Sequence, residues 1–174
     1  MKIAFICMLF LLLSCVLFCE PLKVGYITKF SNPLNMVNGN KAFKDNPQQR
    51  VVFDDSVIRL YKGTITIIFP NGSFVNVKAP ETINIKKGIL KFTNKKVTKG
   101  NLYISSDITA SKGIIDLPDS INLELEKIGK QWMDNPALSI LIKANYLSEH
   151  GYQEEANQLY LIHKKRFLDE DNRN

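Results

Sequence analysis

The chain has 174 residues, with 23 Lys and Arg against 17 Asp and Glu, so its formal net charge is +6. When an N-terminal apolar segment is set aside, about 155 residues remain, enough for one ordinary domain with its own core. Most of the positive excess lies in residues 86–99 and lacks the interleaved arginine and aromatic residues of nucleic-acid surfaces, which argues against a nucleic-acid partner.

Residues 1–19 read MKIAFICMLFLLLSCVLFC, one lysine followed by an almost continuous apolar run. A basic start, an apolar stretch and a small residue near its end predict an export signal, and the run is slightly shorter than the about 20 residues of a membrane span. The stretch LLSC, which ends at Cys15, resembles a bacterial lipobox, in which the cysteine receives diacylglycerol; Cys19 is the alternative. Lipidation, simple cleavage and retention as an uncleaved anchor all stay open.

All three cysteines, Cys7, Cys15 and Cys19, lie inside this segment, so the exported domain must fold without disulfides. Small secreted eukaryotic domains commonly depend on disulfides, so their absence favours a bacterial envelope protein, periplasmic or membrane-anchored. It also removes a thiolate nucleophile and soft metal ligands from the exported part.

From residue 22 to residue 117 the apolar residues recur with period two, in short runs separated by turn residues. We predict a long loop at 31–49 and strands at 22–29, 50–53, 57–61, 64–69, 74–77, 82–85, 89–92, 102–105 and 114–117. Many short strands at close spacing indicate an antiparallel sandwich, barrel or roll.

One turn in this half has two interpretations. Asn71-Gly72-Ser73 fits the N-x-S glycan acceptor pattern, and Asn71-Gly72 is also a strong hairpin signal because alternating apolar residues lie on both sides. Since a bacterial envelope protein makes the glycan pattern a coincidence, we predict that Asn71 and Gly72 serve turn geometry.

After residue 117 the apolar spacing becomes helical, which predicts three helices. The first begins at Asp119, expected as its N-cap, and runs to Trp132. Asn135 followed by Pro136 predicts the cap and first residue of the second helix, which Gly151 ends. The third helix is predicted at 153–167.

The predicted fold class is therefore α+β: an antiparallel all-β sandwich or roll followed by a C-terminal three-helix segment. The chain divides into a signal at 1–19, a β domain at 20–117, a helical segment at 118–170 and a disordered tail at 171–174.

The strand half resembles a FecR-type domain over about residues 22–88. Motif positions of that family are matched by Val24, Tyr26, Ile27, Asp55, Val57, Ile58, Phe69, Asn71, Gly72, Ser73, Pro80, Thr82 and Ile83. Asp54 replaces a glycine of the family pattern and Asn71 replaces an aspartate, and both substitutes tolerate turn geometry. The best-known members relay a signal to a cytoplasmic sigma factor, which needs a cytoplasmic domain before the membrane span. Here only Met1 and Lys2 precede the apolar run, so the relay role is not expected. The resemblance therefore implies a stand-alone envelope module.

The last two predicted helices resemble a single tetratricopeptide repeat over residues 137–170. Small, bulky, glycine and aromatic positions of that repeat are matched by Ala144, Leu147, Gly151, Ala156 and Tyr160, whereas Lys143 and His163 depart from it. Such repeats normally need about three copies to bury a continuous core. The hairpin is therefore expected to dock on the rest of the chain or on a partner.

No nucleotide loop, metal-spaced cluster or nucleophile elbow occurs in the sequence, so we predict no catalytic residue, no metal, no cofactor and no enzyme activity. His150 suits the last turn of a helix and His163 lies near an apolar stripe, so both are expected to be structural. Two acidic pairs are explained as turn and cap residues: Asp54 with Asp55, and Asp116 with Asp119.

Four aromatic residues of the helical half, Trp132, Tyr146, Tyr152 and Tyr160, form a candidate partner surface, with helix packing as the alternative explanation. We predict a non-enzymatic protein of the bacterial cell envelope, a structural or protein-interaction module. Its helical hairpin would contact another envelope protein, and its N-terminus would associate with a membrane. As an alternative, residues 86–99 would bind anionic wall polymer or lipid.

Overall fold

The computed structural model describes residues 21–31, 35–44, 49–105 and 117–169. The predicted export signal with Cys15 and Cys19, most of the strand predicted at 114–117, and the tail at 171–174 lie outside the described residues. Within the described ranges the chain forms ten strands and then helices, which confirms the predicted α+β fold with its strand half first.

The strands form two five-stranded antiparallel sheets. Their bounds are β1 Lys23–Phe30, β2 Asn35–Asn38, β3 Lys41–Ala42, β4 Val51–Phe53, β5 Val57–Lys62, β6 Thr64–Ile68, β7 Ser73–Lys78, β8 Glu81–Lys86, β9 Ile89–Phe92 and β10 Val97–Asn101. Sheet I has the order β10-β7-β6-β1-β4, and sheet II has the order β3-β2-β5-β8-β9. Strands β9 and β10 are therefore edge strands of different sheets, although they follow one another in the chain.

The core between the two sheets follows from the period-two pattern. On β6 and β7, Ile65 pairs with Val77 and Ile67 pairs with Val75, and all four side chains are buried. Successive residues of a strand point to opposite faces, so this register places one apolar face of each strand inward.

The predicted loop at 31–49 is wrong in part, because β2 and β3 lie inside it. Gly39 and Asn40 form the two-residue connection between them, and Gly39 has a positive φ of 62°. A Gly-Asn pair between short runs is a hairpin signal, but the runs here are too short and polar to show clear alternation. Pairing of β2 with β5 supplies the stabilisation that the local sequence lacks.

The strand predicted at 102–105 is also wrong. The strand of this region is β10, and the following residues form a short helix, α1, at Leu102–Ser105. Asn101 explains the change, because its side-chain oxygen accepts a hydrogen bond from the Tyr103 N–H at 2.9 Å. A local side-chain bond of this kind competes with strand pairing and starts a helical turn.

Three longer helices follow: α2 at Asp119–Gln131, α3 at Pro136–Glu149 and α4 at Gln153–Phe167. The predicted cap at Asp119 is wrong, since Asp119 is the first helical residue and Pro118 precedes it without a side-chain cap. The cap at Asn135 is confirmed, because Asn135 Oδ1 accepts from the Leu138 N–H at 3.1 Å. Gly151 ends α3 with a φ of 88°, as expected for a glycine after a helix.

The helices pack on the outer face of sheet I and form a third layer. Tyr26, Val51 and Ile68 from the sheet form one buried cluster with Trp132 and with Leu138, Leu141 and Ile142 of α3. The rings of Tyr26 and Trp132 meet edge to face with centroids 5.7 Å apart. Among the described residues, the helices are too short or too polar to cross a membrane.

Candidate functional surface

The lysines of residues 86–99 lie on two edge strands, β9 and β10, and in the segments directly before and between them. All six, Lys86, Lys87, Lys91, Lys95, Lys96 and Lys99, are exposed, and no acidic residue lies in the same stretch. They begin at the end of β8, follow β9 at the edge of sheet II, cross to the other sheet and continue on β10. We call this set of six lysines the basic edge.

The crossover within the basic edge is held by one buried carboxylate, Glu81. Its side chain lies on the inward register of β8 with Ile83 and Ile85, and its exposed fraction is 3%. Glu81 Oε1 accepts from the backbone N–H groups of Thr82, Thr93 and Asn94 at 2.9, 2.8 and 2.9 Å, and Oε2 accepts from the Lys96 N–H at 3.0 Å.

These bonds decide the charge state of Glu81. Burial acts to raise the pKa of its carboxyl, but the four backbone donors stabilise the charged form, so the pKa lies below its ordinary value. The crossover therefore closes around a fixed negative charge. The alternating pattern of β8 indicates this arrangement, because it places Glu81 on the same inward face as Ile83 and Ile85. A buried acid there needs hydrogen-bond partners inside the protein.

A groove opens between the two edges and reaches the core. It has a volume of about 620 Å³ and is lined by apolar residues of both sheets, among them Val24, Phe69, Leu90 and Phe92, which also pack against the core between the sheets. Two lysines, Lys23 and Lys99, line it, and no acidic residue does. Small-molecule sites have volumes of about 300–1,000 Å³, so this edge groove is large enough for one.

Two large apolar side chains at the edge groove face solvent. Leu22 is 68% exposed and Ile89 is 62% exposed, and both line the groove. Leu22 begins the described part of the strand half and is three residues after Cys19, a distance of at most about 11 Å along an extended chain. The edge groove therefore lies next to the place where the N-terminal segment joins the sandwich.

The Asn71-Gly72 turn forms one end of this region. Gly72 has a φ of 74°, its N–H donates to the Phe69 carbonyl at 2.9 Å, and the Phe69 N–H donates to the Ser73 carbonyl at 2.9 Å. This is a tight hairpin loop closed by a left-handed glycine. Asn71 Oδ1 accepts from the Ser73 N–H at 3.0 Å and from the Ser73 hydroxyl at 2.6 Å, so its side chain has a structural use within the loop.

The turn is also tied to α4 through a buried histidine. His163 is fully buried, its Nε2 lies 2.7 Å from the Pro70 carbonyl oxygen, and its Nδ1 lies 2.5 Å from the Tyr103 hydroxyl. A carbonyl only accepts, so Nε2 carries the proton and Nδ1 accepts from the tyrosine. Burial lowers the pKa of His163, and the bond to Pro70 only partly opposes this. Burial likewise raises the pKa of Tyr103.

The four aromatic residues predicted as a partner surface lie in different environments. Trp132 is 1% exposed and packs on Tyr26, so its place in an exposed surface is corrected: helix packing covers it. Tyr146, Tyr152 and Tyr160 are partly buried in a cluster between the helices. Burial, with a smaller contribution from Glu149, raises the pKa of Tyr160 to about 12.

A second cleft lies between α2, α3 and sheet I. It has a volume of about 210 Å³ and includes Arg50, Glu124, Glu149 and His150 beside the ring of Trp132. It is smaller than typical small-molecule sites.

The acidic pairs of the sequence have local roles where they can be described. Asp54 Oδ1 accepts from the Gly88 N–H at 3.0 Å, and Asp55 has a φ of 58° in the turn before β5. Asp116 lies outside the described residues. Among the residues that the structure describes, no group of three His, Cys, Asp or Glu side chains is placed to hold a metal ion.

Comparison of this chain with protein-family models, with curated proteins and with solved structures found no match.

Proposed function

We propose that this chain is a non-enzymatic, exported protein of the bacterial cell envelope, a stand-alone FecR-like sandwich with a tetratricopeptide-like hairpin. It binds an anionic envelope component, wall polymer or lipid, through the basic edge. The observation that carries this proposal is the exposure of six lysines on and beside two edge strands, in a stretch, 86–99, that contains no acidic residue of its own. The carboxylate of Asp54 lies beside this stretch and accepts from the Gly88 N–H.

Edge protection is a second role for the same lysines. Charged side chains on edge strands prevent sheets of different molecules from pairing, and this would explain lysines on β9 and β10 without any ligand. It does not explain Lys95 and Lys96 in the crossover, nor the fixing of that crossover by Glu81. A crossover with a defined conformation presents its lysines at defined positions, which favours binding.

The test uses the full chain and two double variants with the same change in net charge. Lys86→Gln with Lys91→Gln removes two charges from the basic edge, and Lys164→Gln with Lys165→Gln removes two exposed charges from α4. Binding is measured by co-sedimentation with phosphatidylcholine vesicles that contain phosphatidylglycerol, and separately with a purified anionic wall polymer. One lysine near an anionic surface contributes about 1 kcal/mol, so the first variant loses about thirtyfold in affinity.

Salt provides an independent measurement. The Debye length falls from about 10 Å at 0.1 M to about 3 Å at 1 M, so binding by the parent and by the α4 variant falls with added salt. Equal binding by the two double variants to both targets would refute the proposal.

A second candidate function, a protein-interaction module acting through the helices, has support from a different observation. Leu123, Met133 and Ile162 are large apolar side chains with exposed fractions of 52%, 78% and 49%. Replacing the three by serine removes this apolar surface without touching the buried clusters. Cross-linking in cells then decides: partners that depend on these side chains disappear from the variant and persist in the basic-edge variant.

A further inference from the structure

We propose that the edge groove holds one acyl chain of an anionic membrane lipid, with the lipid phosphate among the lysines at its rim. The inference rests on the proposed function and names lipid, rather than wall polymer, as the anionic component. Three features of the groove carry it: its apolar lining, its charge and its position in the chain.

The lining suits a hydrocarbon chain. Val24, Phe69, Leu90 and Phe92 line the groove and touch the core between the sheets, so a chain lying there would extend the core outward. The exposed side chains of Leu22 and Ile89 line the groove as well and add to its apolar surface. A polysaccharide or polyphosphate chain offers much less apolar surface than an acyl chain, which removes its own apolar surface and that of the groove from water.

The charge at the rim suits a lipid phosphate. Lys99 lines the groove, and Lys86 and Lys87 precede Gly88, which lines it as well. Lys23 already has a partner, because its Nζ lies 3.0 Å from Asp134 Oδ1, so the lysines of the basic edge are the ones assigned to the phosphate. An ammonium group binds phosphate as a point charge and needs no fixed fork geometry.

The edge groove also lies close, along the chain, to the N-terminal segment that the proposed function places at a membrane. The lining residue Leu22 is separated from the apolar run of residues 3–19 by only two residues, Glu20 and Pro21. If that run associates with a bilayer, as the proposed function holds, Leu22 at the groove is separated from the last residue of the run by at most about 11 Å.

An added β-strand is the main competing occupant, because β9 and β10 are the end strands of their sheets among the described residues. Lysines on both strands disfavour it, since charged side chains on an edge oppose strand addition. These lysines therefore favour a lipid over a peptide or a second copy of the chain.

The experiment reconstitutes the full chain into phosphatidylcholine nanodiscs that contain phosphatidylglycerol with a photoactivatable diazirine on one acyl chain. After irradiation, labelled peptides are mapped by mass spectrometry. The proposal expects label on β9 and on residues 69–75, in addition to any label on the N-terminal segment. Lys99→Gln reduces the groove label about fivefold, the contribution of one lysine at an anionic surface, whereas Lys165→Gln does not.

A second pair of variants tests the apolar part. Ile89→Asp places a charge at the groove, and Leu123→Asp places the same charge on an equally exposed apolar position of α2, away from it. The first loses the groove label and the second keeps it. Both positions face solvent, so neither variant is expected to unfold.

The outcomes separate this inference from the proposed function. Label confined to the N-terminal segment, with lysine-dependent binding of vesicles or wall polymer intact, overturns the acyl-chain inference and leaves the proposed function standing. Loss of lysine-dependent binding as well overturns both. Cross-links between the β9 or β10 strands of two copies would identify a second chain as the occupant and overturn the inference.

Discussion

Replacement of Glu81 by alanine is the most direct test of how the basic edge is built. The four backbone N–H groups that Glu81 binds belong to Thr82 and to three residues of the crossover between the sheets. Alanine removes all four acceptor contacts at once and leaves a space where the carboxylate was. The crossover then keeps only its other bonds, among them Lys78 N–H to the Lys96 carbonyl and Asn94 Nδ2 to the Pro80 carbonyl, so Lys95 and Lys96 are held less firmly.

The expected loss of unfolding free energy in Glu81→Ala follows from the number and kind of these hydrogen bonds. A hydrogen bond to a charged group contributes about 1.5–3 kcal/mol, so four such bonds would give an upper limit of about 12 kcal/mol. The actual loss is smaller, because Thr93, Asn94 and Lys96 are exposed residues whose N–H groups can bind water after the change. The desolvation of the carboxylate is also recovered. We expect a loss of about 2–4 kcal/mol, or about 5–15 °C in Tm for a domain of this size.

The assay is urea unfolding of the full chain, with Glu154→Ala as the matched control. Glu154 is an exposed acid in the first turn of α4, so its loss changes the net charge equally and costs at most about 1 kcal/mol. Glu81→Gln is the intermediate variant, since its amide oxygen still accepts but its NH₂ group faces a backbone donor.

Acid supplies the second readout. The folded pKa of Glu81 is lowered, so its contribution is complete above the ordinary glutamate pKa of about 4.3. It is lost as the pH falls from there through the folded value, because the unfolded state then binds the extra proton. The stability of Glu81→Gln therefore depends less on pH in this window than that of the parent. If Glu81→Ala were as stable as Glu154→Ala, or if Glu81→Gln kept the full acid dependence of the parent, the Glu81 carboxylate would not have the role assigned to it.

Three further predictions concern the turn, the buried histidine and the helix cap. Gly72→Ala lowers the free energy of unfolding in urea by at least about 2 kcal/mol, because its Cβ would lie 2.5 Å from the Tyr103 ring. The control Gly88→Ala has a similar φ of 70° but open space around it, so it loses only about 1 kcal/mol through backbone strain. Equal losses would contradict the packing of the turn against Tyr103. Burial lowers the folded pKa of His163, so its contribution to the free energy of unfolding is complete above the ordinary histidine pKa of about 6.5 and is lost as the pH drops through the folded value. His163→Gln removes this pH dependence. A variant that kept the pH dependence of the parent would contradict the assignment to His163. Asn135→Ala lowers the free energy of unfolding, measured thermally, by about 1–2 kcal/mol, because the cap acceptor is lost. Asn135→Asp keeps that acceptor and is expected to lose less. The reverse order of the two variants would refute the cap.

Local signals explain which parts of the fold the sequence predicts. The Asn135-Pro136 start and the Gly151 end of α3 depend on the conformations of single residues, so they can be read without tertiary information. The Asn71-Gly72 turn is predictable for the same reason. The helix at Leu102–Ser105 is not, because its apolar spacing also fits a strand and the deciding contact is the Asn101 side chain.

The candidate surface was predictable only as a composition. The lysines of residues 86–99 are visible in the sequence, but their groove is formed by residues as distant as Leu22 and Lys99. The sheet order brings these together by pairing β7 with both β6 and β10, and by leaving β9 at the edge of the other sheet. Such pairings depend on the whole chain, and no short pattern encodes them.

The two halves of the chain behave as one physical unit, which limits how their functions can be separated. Trp132 and α3 cover Tyr26 on the outer face of sheet I, Lys23 Nζ bonds Asp134 at 3.0 Å, and Asn135 Nδ2 donates to the Lys23 carbonyl at 3.2 Å. Removing the helices would expose the apolar face of the sheet to water and would also remove His163, which bonds the Pro70 carbonyl of the turn. A truncation at residue 118 would therefore unfold or aggregate the β half, whatever partner the helices have. Substitution of single exposed residues, such as Leu123 in the helices and Lys99 in the sheet, avoids this and can assign a function to either half.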